Sequence, residues 1–150
     1  MNFETKKLNR DDLETMHSLL DCFSEVFAEP ENYKNKRPNP DYLINLLDSE
    51  MFISIVAKQD QKVIGGLAAY ELKKFEQMRS EIYIYDLAVL KSHRRIGVAT
   101  ALINRLKSLA KARGSWAVIV QADYIDEPAV NLYSKLGEKE EVLHFHISVN

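Results

Sequence analysis

The sequence predicts an α+β protein, in which helices flank one central mixed, mostly antiparallel sheet, as a single domain over residues 1–150. The first observation behind this prediction is the order of the predicted elements, which runs strand, two helices, three strands, helix, strand, helix and strand. The second is a strand, turn and helix over residues 81–113, around which the other elements are organised. The composition suits a globular domain, since 46% of the residues are hydrophobic and 28% are charged.

The first half of the chain is predicted to contain a strand, two helices and a hairpin. An amphipathic stripe predicts a first helix that Asn9 or Asp11 caps. Asn39 followed by proline is typical of a helix N-terminus, and two adjacent glycines at 65 and 66 indicate a bulge or a close backbone approach. The elements are a strand over 3–8, a helix to residue 28, a loop over 29–38, a short helix from residue 40, and strands over 51–57 and 63–72.

The second half is predicted to alternate strands and helices. Gly114 stands where a helix C-terminus favours a left-handed residue, Trp116 is expected to pack in the core, and Asp126 is expected to cap the following helix. Alternation of apolar residues near the end predicts a final strand. The elements are a strand over 81–90, a helix over 100–112, a strand over 116–121, a helix ending at residue 137, and a strand over 141–149.

Charge is distributed unevenly along the chain. The net charge of −2 argues against a general nucleic-acid-binding protein. Residues 87–122 contain seven Lys or Arg and no acid, whereas residues 123–150 contain six acids and two lysines. This asymmetry predicts a basic region for an anionic cofactor and an acidic region for a cationic substrate.

Cysteine usage and hydropathy indicate where the protein acts. The single cysteine, Cys22, cannot form an internal disulfide, which agrees with a reducing compartment. Because Cys22 lies beside the apolar face of the first predicted helix, we expect a buried structural thiol rather than a nucleophile. The apolar runs are too short to cross a membrane, and the first residues lack the regions of a signal peptide. We therefore expect a cytoplasmic protein without membrane association.

The turn between the strand over 81–90 and the next helix has the composition of an anion site. It contains Arg94, Arg95 and Gly97, and the first turn of the helix has no carboxylate. Unpaired N–H groups at a helix start beside two arginines favour a phosphate group. The sequence has neither the G-x-x-x-x-G-K-[ST] nor the G-x-G-x-x-G pattern, which excludes a P-loop and a Rossmann turn.

Three motifs here resemble those of the GNAT acetyltransferases. Arg-x-x-Gly-x-Ala over 94–99 resembles the family's pyrophosphate loop, Asp-Leu-Ala-Val precedes it over 86–89, and Ala-x-x-Leu-Tyr-x-x-x-Gly follows over 129–137. The resemblance implies the GNAT fold, with acetyl-CoA in a cleft between splayed strands. The residues that it implies for binding this cosubstrate are Leu87, Ala88 and Val89 for the acetyl carbonyl and pantetheine arm, and Arg94, Arg95, Ile96, Gly97, Val98, Ala99 and Thr100 for the pyrophosphate.

Asp86 and Tyr133 are the candidate catalytic residues. Tyr133 matches the family tyrosine that points at the cofactor sulfur, which implies a general acid for the departing thiolate; alternatively it only packs its helix on the sheet. In an apolar strand, burial would raise the pKa of Asp86 and make it a better base, and its charge would hold an ammonium group. Alternation places Asp86 on the face opposite to Tyr83 and Tyr85 unless a bulge intervenes. An outward-facing Asp86, with Glu81 or a water chain as the base, is the alternative.

From about residue 41 onward the chain resembles more closely the aminoglycoside 3-N-acetyltransferases of the GNAT type. The segments that carry this resemblance are 75–77, 79–89, 94–97, 121–124, 128–130 and 140–145. It implies acetyl transfer to the 3-amino group of gentamicin-like antibiotics, resistance to them, and a homodimer. The residues expected to bind this polycationic substrate are Asp86, Asp123, Tyr124, Asp126 and Glu127.

Other functions stay open at this point. The enzyme could acetylate a polyamine, an amino sugar or a protein amine, or the chain could be a non-catalytic acyl-CoA-binding regulatory module. The presence of both Asp86 and Tyr133 argues against the module, since a pure binder needs neither. No metal is expected, because His144 and His146 on one face of the last predicted strand lack a third ligand.

Overall fold

The computed structural model describes residues 2–150. The elements are β1 (Glu4–Lys7), α1 (Leu13–Phe27), α2 (Pro40–Asp48), β2 (Phe52–Gln59), β3 (Lys62–Lys73), β4 (Ser80–Val89), α3 (Val98–Ala112), β5 (Ser115–Val120) and α4 (Glu127–Leu136), with single helical turns at Glu31–Asn35 and Lys91–His93. The strands form one sheet in the order β1-β2-β3-β4-β5. Only β4 and β5 are parallel, which confirms the predicted α+β class with a mixed, mostly antiparallel sheet.

Buried apolar residues form one cluster on each face of the sheet. The α3-side cluster contains Leu102 and Leu106 of α3, and the α1/α2-side cluster contains Leu19 of α1 and Leu43 of α2. Cys22 is buried in the second cluster, and burial raises the pKa of its thiol to about 11, as expected for a structural cysteine. Over residues 2–150, none of the helices combines the length and the apolar character that a membrane crossing requires.

The two adjacent glycines of β3 mark close backbone approaches, as the sequence predicts. A Cβ on Gly65 would lie 2.8 Å from the carbonyl oxygen of Ala88 on β4. A Cβ on Gly66 would lie 2.5 Å from Cδ1 of Leu19 and 2.8 Å from the carbonyl oxygen of Ile55. Because such separations are shorter than contact distance, glycine at 65 allows the close approach of β4, and glycine at 66 allows α1 to pack on the sheet.

Hydrogen bonds join the amino ends of β4 and β5. The Ser80 hydroxyl donates to the Glu71 carboxylate at 2.6 Å and lies 2.6 Å from the Ser115 hydroxyl. Arg113 donates to the other Glu71 oxygen at 2.8 Å and to the carbonyl of Glu50 at 2.6 Å. Burial acts to raise the pKa of Glu71, but its bonds from Ser80 and Arg113 outweigh burial and lower it. We call Glu71, Ser80, Arg113 and Ser115 the clamp, because they fasten three strands together at this end.

Two sequence predictions about individual residues are wrong. Neither Asn9 nor Asp11 caps α1, because Asp12 occupies the capping position and its carboxylate is held by Lys6 at 2.6 Å and by the N–H of Asn9 at 2.9 Å. Trp116 is 55% exposed rather than buried, and the guanidinium of Arg79 lies 4.3 Å from the centre of its ring. The reason is that Trp116 lies on β5, which is an edge strand with no further strand beside it in the described chain.

The predicted final strand over 141–149 is also wrong for the single chain. Residues 138–150 follow α4 without strand pairing to any described residue, and they are exposed. A strand requires a neighbouring edge for its backbone hydrogen bonds, however well its side chains alternate. Beyond Gly137 the segment pairs with no described strand of the sheet.

We predict that Gly66→Ala destabilises the protein by about 2 kcal/mol, because its methyl group overlaps Leu19 and the backbone of Ile55. Chemical denaturation followed by circular dichroism measures the change. The matched control is Gly137→Ala, where the nearest atom to the added Cβ is 4.0 Å away and the backbone is extended. Equal stability of the two variants would contradict the assigned packing.

Candidate active site

The cleft of the molecule opens where β4 and β5 part. Their pairing runs from Ser80 with Ser115 to Ile84 with Val120 and then stops, although β4 continues to Val89. Within the described chain, the side of residues 85–89 that faces β5 therefore has no strand partner. Free backbone donors and acceptors along this stretch can bind an extended molecule as a strand would. Residues 87–89, which the family resemblance assigns to acetyl-CoA, lie in this unpaired stretch.

A β-bulge at Tyr85 decides which way Asp86 points. Successive residues of β3 pair with Asp86 and Ile84, so Tyr85 is an extra residue without a partner on β3. The extra residue shifts the alternation of side chains by one position. Ile84 accordingly packs in the α3-side cluster, while Ala88 packs in the α1/α2-side cluster. Asp86 lies on the same face as Tyr83, which is the arrangement that the sequence allows only with a bulge.

Asp86 is partly buried and accepts hydrogen bonds from a tyrosine. The Tyr33 hydroxyl lies 3.1 Å from each carboxylate oxygen of Asp86. The Tyr33 ring packs against Phe23 and Phe27 of α1, with centroids 5.8 and 5.4 Å apart. Burial raises the pKa of Asp86, the bond from Tyr33 opposes part of this rise, and the nearby Glu29 adds to it. The structure therefore provides a carboxylate that is more basic than an ordinary aspartate and is held in place by Tyr33.

Tyr33 is a site residue that the sequence does not reveal by spacing. It lies 53 positions before Asp86, in the turn that follows α1. Burial raises the pKa of the Tyr33 phenol, and the charge of Asp86 raises it further. Tyr33 therefore keeps its proton at neutral pH and acts as a hydrogen-bond donor.

Three more tyrosines lie beside Asp86 on this face. The rings of Tyr70 and Tyr85 have centroids 6.2 Å apart, and those of Tyr83 and Tyr85 are 6.0 Å apart. Burial raises the pKa of Tyr83, with Tyr85 and Asp86 as further causes. We name Asp86, Tyr70, Tyr83 and Tyr85 the acceptor face; Tyr85 is 65% exposed on it. Aromatic faces around a carboxylate suit a cationic amine, because both attract positive charge.

The turn before α3 forms a cradle of backbone N–H groups. Arg95 and Gly97 have left-handed backbones, with φ of 63° and 86°. The first hydrogen bond of α3 runs from the N–H of Ala101 to the carbonyl of Gly97, and among the described residues no acceptor pairs with the N–H groups at 98–100. The first helical turn contains no acid. Such a cradle fits an anionic phosphate group.

The two arginines of this turn have different surroundings. Arg94 donates from Nε to the carbonyl of Val89 at 3.1 Å, which ties the turn to the end of β4. It also lines a shallow recess together with Lys91 and Glu25. Arg95 is exposed. Both arginines add positive charge at the rim of the cradle.

Tyr133 lies on α4 and is partly buried. With Leu132 it packs against the α3-side cluster. Burial raises the pKa of its phenol, and the neighbouring Asp126 raises it further, so the hydroxyl carries its proton at neutral pH. Asp126 itself caps α4, as predicted, because its Oδ1 accepts the N–H of Ala129 at 3.3 Å.

The remaining acidic candidates lie in the loop after β5. Asp123 and Glu127 are exposed. Tyr124 is exposed as well, and its hydroxyl donates to Glu141 at 2.8 Å. Asp126 and Tyr124 thus have structural partners in addition to any contact with substrate.

Glu81 is poorly placed to act as the base. It lies at the clamp end of β4, away from the parting of the strands, and accepts a hydrogen bond from Lys74 at 3.3 Å. Across residues 2–150, no group of three His, Cys, Asp or Glu side chains is arranged to hold a metal ion. Asp86 is therefore the carboxylate whose surroundings best fit a base.

The parting strands, the N–H cradle and the tyrosine on α4 together suit acyl transfer from a thioester. The model of the acetyltransferase (GNAT) family matches residues 13–137. The chain belongs to this family. GNAT acetyltransferases use acetyl-CoA as the acetyl donor, and the fold, with its open five-stranded mixed sheet between helices, is the GNAT fold.

The chain is similar to acetyltransferases of two kinds. An N-alpha-acetyltransferase of Sulfurisphaera tokodaii is 30% identical over 120 residues, which covers 75% of this chain and 69% of that protein. The structure of HMB0005, an aminoglycoside acetyltransferase from an uncultured soil metagenomic sample, is 53% identical with a TM-score of 0.98, covering 100% of both chains. The aminoglycoside acetyltransferase meta-AAC0020, from the same kind of source and in complex with sisomicin, is 30% identical with a TM-score of 0.91, covering 99% and 97%.

We predict that Gly97→Ala weakens the interaction with acetyl-CoA and raises its KM by about tenfold or more. The alanine strains the left-handed backbone by about 1–2 kcal/mol and so disturbs the N–H cradle. Initial rates at varied acetyl-CoA concentration measure the effect.

Gly114→Ala is the matched control for this prediction. Gly114 also has a positive φ, of 76°, and at both glycines no described atom lies within 4 Å of the added Cβ. The two variants carry a similar strain, but Gly114 lies at the far end of α3. An equal rise in KM for both variants would mean that the strain alone, and not the cradle, is responsible.

Proposed function

We propose that this protein transfers the acetyl group of acetyl-CoA to the 3-amino group of gentamicin-like aminoglycosides and so confers resistance to them. The observation that carries the proposal is Asp86, a partly buried carboxylate of raised pKa that Tyr33 holds beside three tyrosine rings. Its position at the parting of β4 and β5 is where a thioester and an amine can meet. The likeness to HMB0005 and to meta-AAC0020, which was solved with sisomicin, supports an aminoglycoside as the acceptor.

The binding of acetyl-CoA is assigned to the opening and the cradle. Residues 87–89 offer unpaired backbone groups to the pantetheine arm and the acetyl carbonyl. The N–H groups at 98–100 and the preceding turn over 94–97 bind the pyrophosphate, with Arg94 and Arg95 adding positive charge. The absence of acids from the first turn of α3 supports this assignment, because a carboxylate there would repel the phosphates.

Asp86 and Tyr133 carry the two proton transfers of the reaction. Asp86 first pairs with the ammonium group and takes one of its protons, which leaves a neutral amine able to attack the acetyl carbonyl. As the carbon–sulfur bond breaks, Tyr133 donates its phenolic proton to the departing thiolate, which leaves as the CoA thiol. The acetylated nitrogen releases its second proton to water, from which the Tyr133 phenolate is reprotonated, and Asp86 releases its proton to solvent after the products leave. The raised pKa of Asp86 favours the first transfer, and the protonated state of Tyr133 at neutral pH permits the second.

The charge of the acceptor matches the acids around the cleft. An aminoglycoside carries several ammonium groups, so one carboxylate cannot neutralise it. Asp123, Asp126 and Glu127 lie in the loop after β5 and in the first turn of α4, and Tyr124 lies among them. We assign these four residues to the amines of the aminoglycoside that do not react.

Two further proposals accompany this function: a cytoplasmic location, which agrees with a single buried cysteine, and a homodimer.

A protein N-terminus is the second candidate acceptor. The similarity to an N-alpha-acetyltransferase over 75% of this chain favours it. The exposed acceptor face argues for a cationic, ring-shaped substrate instead, because its tyrosine rings offer flat apolar surfaces to a sugar ring beside a carboxylate that attracts an ammonium group.

We predict rapid release of CoA with gentamicin as acceptor, and slow release with spermidine or with a peptide that has a free N-terminus. NMR of the product locates the new acetyl group, which we expect on the 3-amino nitrogen. Turnover confined to the peptide or to spermidine would refute the aminoglycoside acceptor while leaving the acetyl transfer in place.

We predict that Asp86→Asn lowers kcat/KM for gentamicin by about 10²- to 10⁴-fold in the same assay, because the carboxamide cannot take a proton from the ammonium group. The matched carboxamide Glu81→Gln, on the same strand but paired with Lys74, should change it less than about threefold.

We predict that Tyr33→Phe moves the acidic limb of the pH profile of kcat/KM to higher pH. Activity requires ionised Asp86, and the Tyr33 hydroxyl stabilises that ionised form. Without this donor the pKa of Asp86 rises further, so activity is gained only at higher pH. The ring stays to pack against Phe23 and Phe27. Tyr70→Phe serves as the control, because Tyr70 lies on the same face but, over residues 2–150, donates no hydrogen bond to Asp86. An unmoved limb in Tyr33→Phe would exclude this role.

A further inference from the structure

The turn that carries Tyr33 has few ties to the rest of the molecule. We call residues 29–37 the Tyr33 turn. Most of its hydrogen bonds join residues within the turn itself. In the described chain, the hydrogen bonds that leave the turn run from the Tyr33 hydroxyl to Asp86 and from Arg37 to Asp21. The position of the Tyr33 hydroxyl therefore depends on Arg37 as well as on the packing of the tyrosine ring.

Arg37 joins the backbone of Tyr33 to α1. One guanidinium nitrogen, Nη2, donates to the carbonyl oxygen of Tyr33 at 2.8 Å and to the carboxylate of Asp21 on α1 at 2.8 Å. The side chain of Asp21 is 60% exposed, whereas that of Arg37 is 19% exposed. Because an ion pair with so exposed an acid contributes little to global stability, the main effect of this pair is local. It fastens to α1 the backbone of the residue whose hydroxyl bonds to Asp86.

The hydroxyl of Tyr33 has to be held closely for its bond to form. It lies 3.1 Å from each carboxylate oxygen of Asp86. A movement of about 0.5 Å away from the carboxylate brings the separation beyond the range of a hydrogen bond. Packing on Phe23 and Phe27 holds the ring, and the bond from Arg37 adds a directional constraint on the backbone.

The effect of Arg37 on Asp86 passes through Tyr33. Burial raises the pKa of Asp86, the bond from Tyr33 lowers it and the charge of Glu29 raises it; the charge of Arg37 is not among these causes. The titratable groups around Asp86 come from the Tyr33 turn and from the sheet, and they are Tyr33, Glu29, Tyr70, Tyr83 and Tyr85.

We propose that Arg37 and Asp21 are positioning residues for the general base, which act by holding the Tyr33 hydroxyl against the carboxylate of Asp86. This inference rests on the proposed role of Asp86 as the base. When the link between Arg37 and Asp21 is broken, the turn is held to α1 by the packing of the tyrosine ring alone, and the ionised form of Asp86 loses part of its stabilising bond. Activity then begins at a higher pH.

The first test is the pH profile of kcat/KM for gentamicin in Asp21→Ala and in Arg37→Met. In both variants the acidic limb should move to higher pH, by up to about one pH unit. The sign for Asp21→Ala separates positioning from a direct effect of charge. Removal of a negative charge by itself would ease the ionisation of Asp86 and move the limb to lower pH. A limb that stays in place or moves to lower pH in Asp21→Ala would overturn the proposal.

Asp48→Ala is the matched control for Asp21→Ala. Asp48 is 57% exposed and pairs with Arg10 at 3.5 Å, so this variant also removes an exposed acid from an arginine pair on the surface. The pair has no hydrogen bond to the Tyr33 turn in the described chain, and the limb should stay in place. A movement equal to that of Asp21→Ala would show that the loss of any such pair has this effect, which would refute the positioning role.

The second test repeats Asp21→Ala and Arg37→Met in the Tyr33→Phe background. Neither substitution should move the acidic limb further there, because the hydroxyl that the pair positions is absent. A further movement as large as in the wild-type background would show that the pair does not act through Tyr33, and the proposal would be wrong.

The third test requires no turnover. The full chain is labelled with ¹³C in its aspartate carboxyl groups, the Asp86 signal is identified by its loss in Asp86→Asn, and its titration is followed by NMR. The midpoint should be higher in Asp21→Ala than in the wild type. A higher midpoint without acetylation of gentamicin would support the positioning role and refute the proposed acceptor. An unchanged midpoint in an enzyme that acetylates gentamicin would refute the positioning role and leave the proposed function in place.

Discussion

The hydrogen bonding of β4 to β5 at one end only is the constraint on which the active site depends. The clamp fastens the amino ends of both strands through Glu71, Ser80, Ser115 and Arg113. Beyond Ile84 the two strands separate, and the backbone of residues 85–89 is left without a partner on that side. Unpaired backbone groups in a cleft are costly without water or a ligand, so the separation leaves donors and acceptors to which we assign the extended thioester arm.

The bulge at Tyr85 lies in the same stretch of β4 and decides which face of the sheet the Asp86 side chain lies on. Without the extra residue, Asp86 would continue the alternation of Ile82 and Ile84 and enter the α3-side cluster, where a carboxylate has no partner. With it, Asp86 reaches the face on which Tyr33 donates to both of its oxygens. Burial and this hydrogen bond act on the pKa of Asp86 in opposite directions, and burial prevails. The result is a carboxylate that is both ordered and basic.

The cofactor side and the acceptor side of the candidate site are assembled in different ways. The cradle before α3 follows directly from β4, so its position is set by a short local connection, which Arg94 ties to Val89. The acceptor side is built from the turn after α1, from β3 and from β4, and it depends on packing between distant segments. The end formed by β5 and α4 contains no buried residue in the described chain, so it contributes less to the core than β2 and β3 do.

The sequence by itself determined the α+β class, most element positions and the turn over 94–97 with its neighbouring motifs, because these depend on local periodicity and on residues close together in the chain. Only the tertiary structure decided the face of Asp86, because a bulge is a property of the pairing between β3 and β4. Its contact with Tyr33 joins residues 53 positions apart, and no local pattern encodes such a contact. The final strand failed for a related reason. Alternation in residues 141–149 specifies a side-chain pattern, but a strand exists only where a free edge accepts its backbone, and in the described chain these residues pair with no edge.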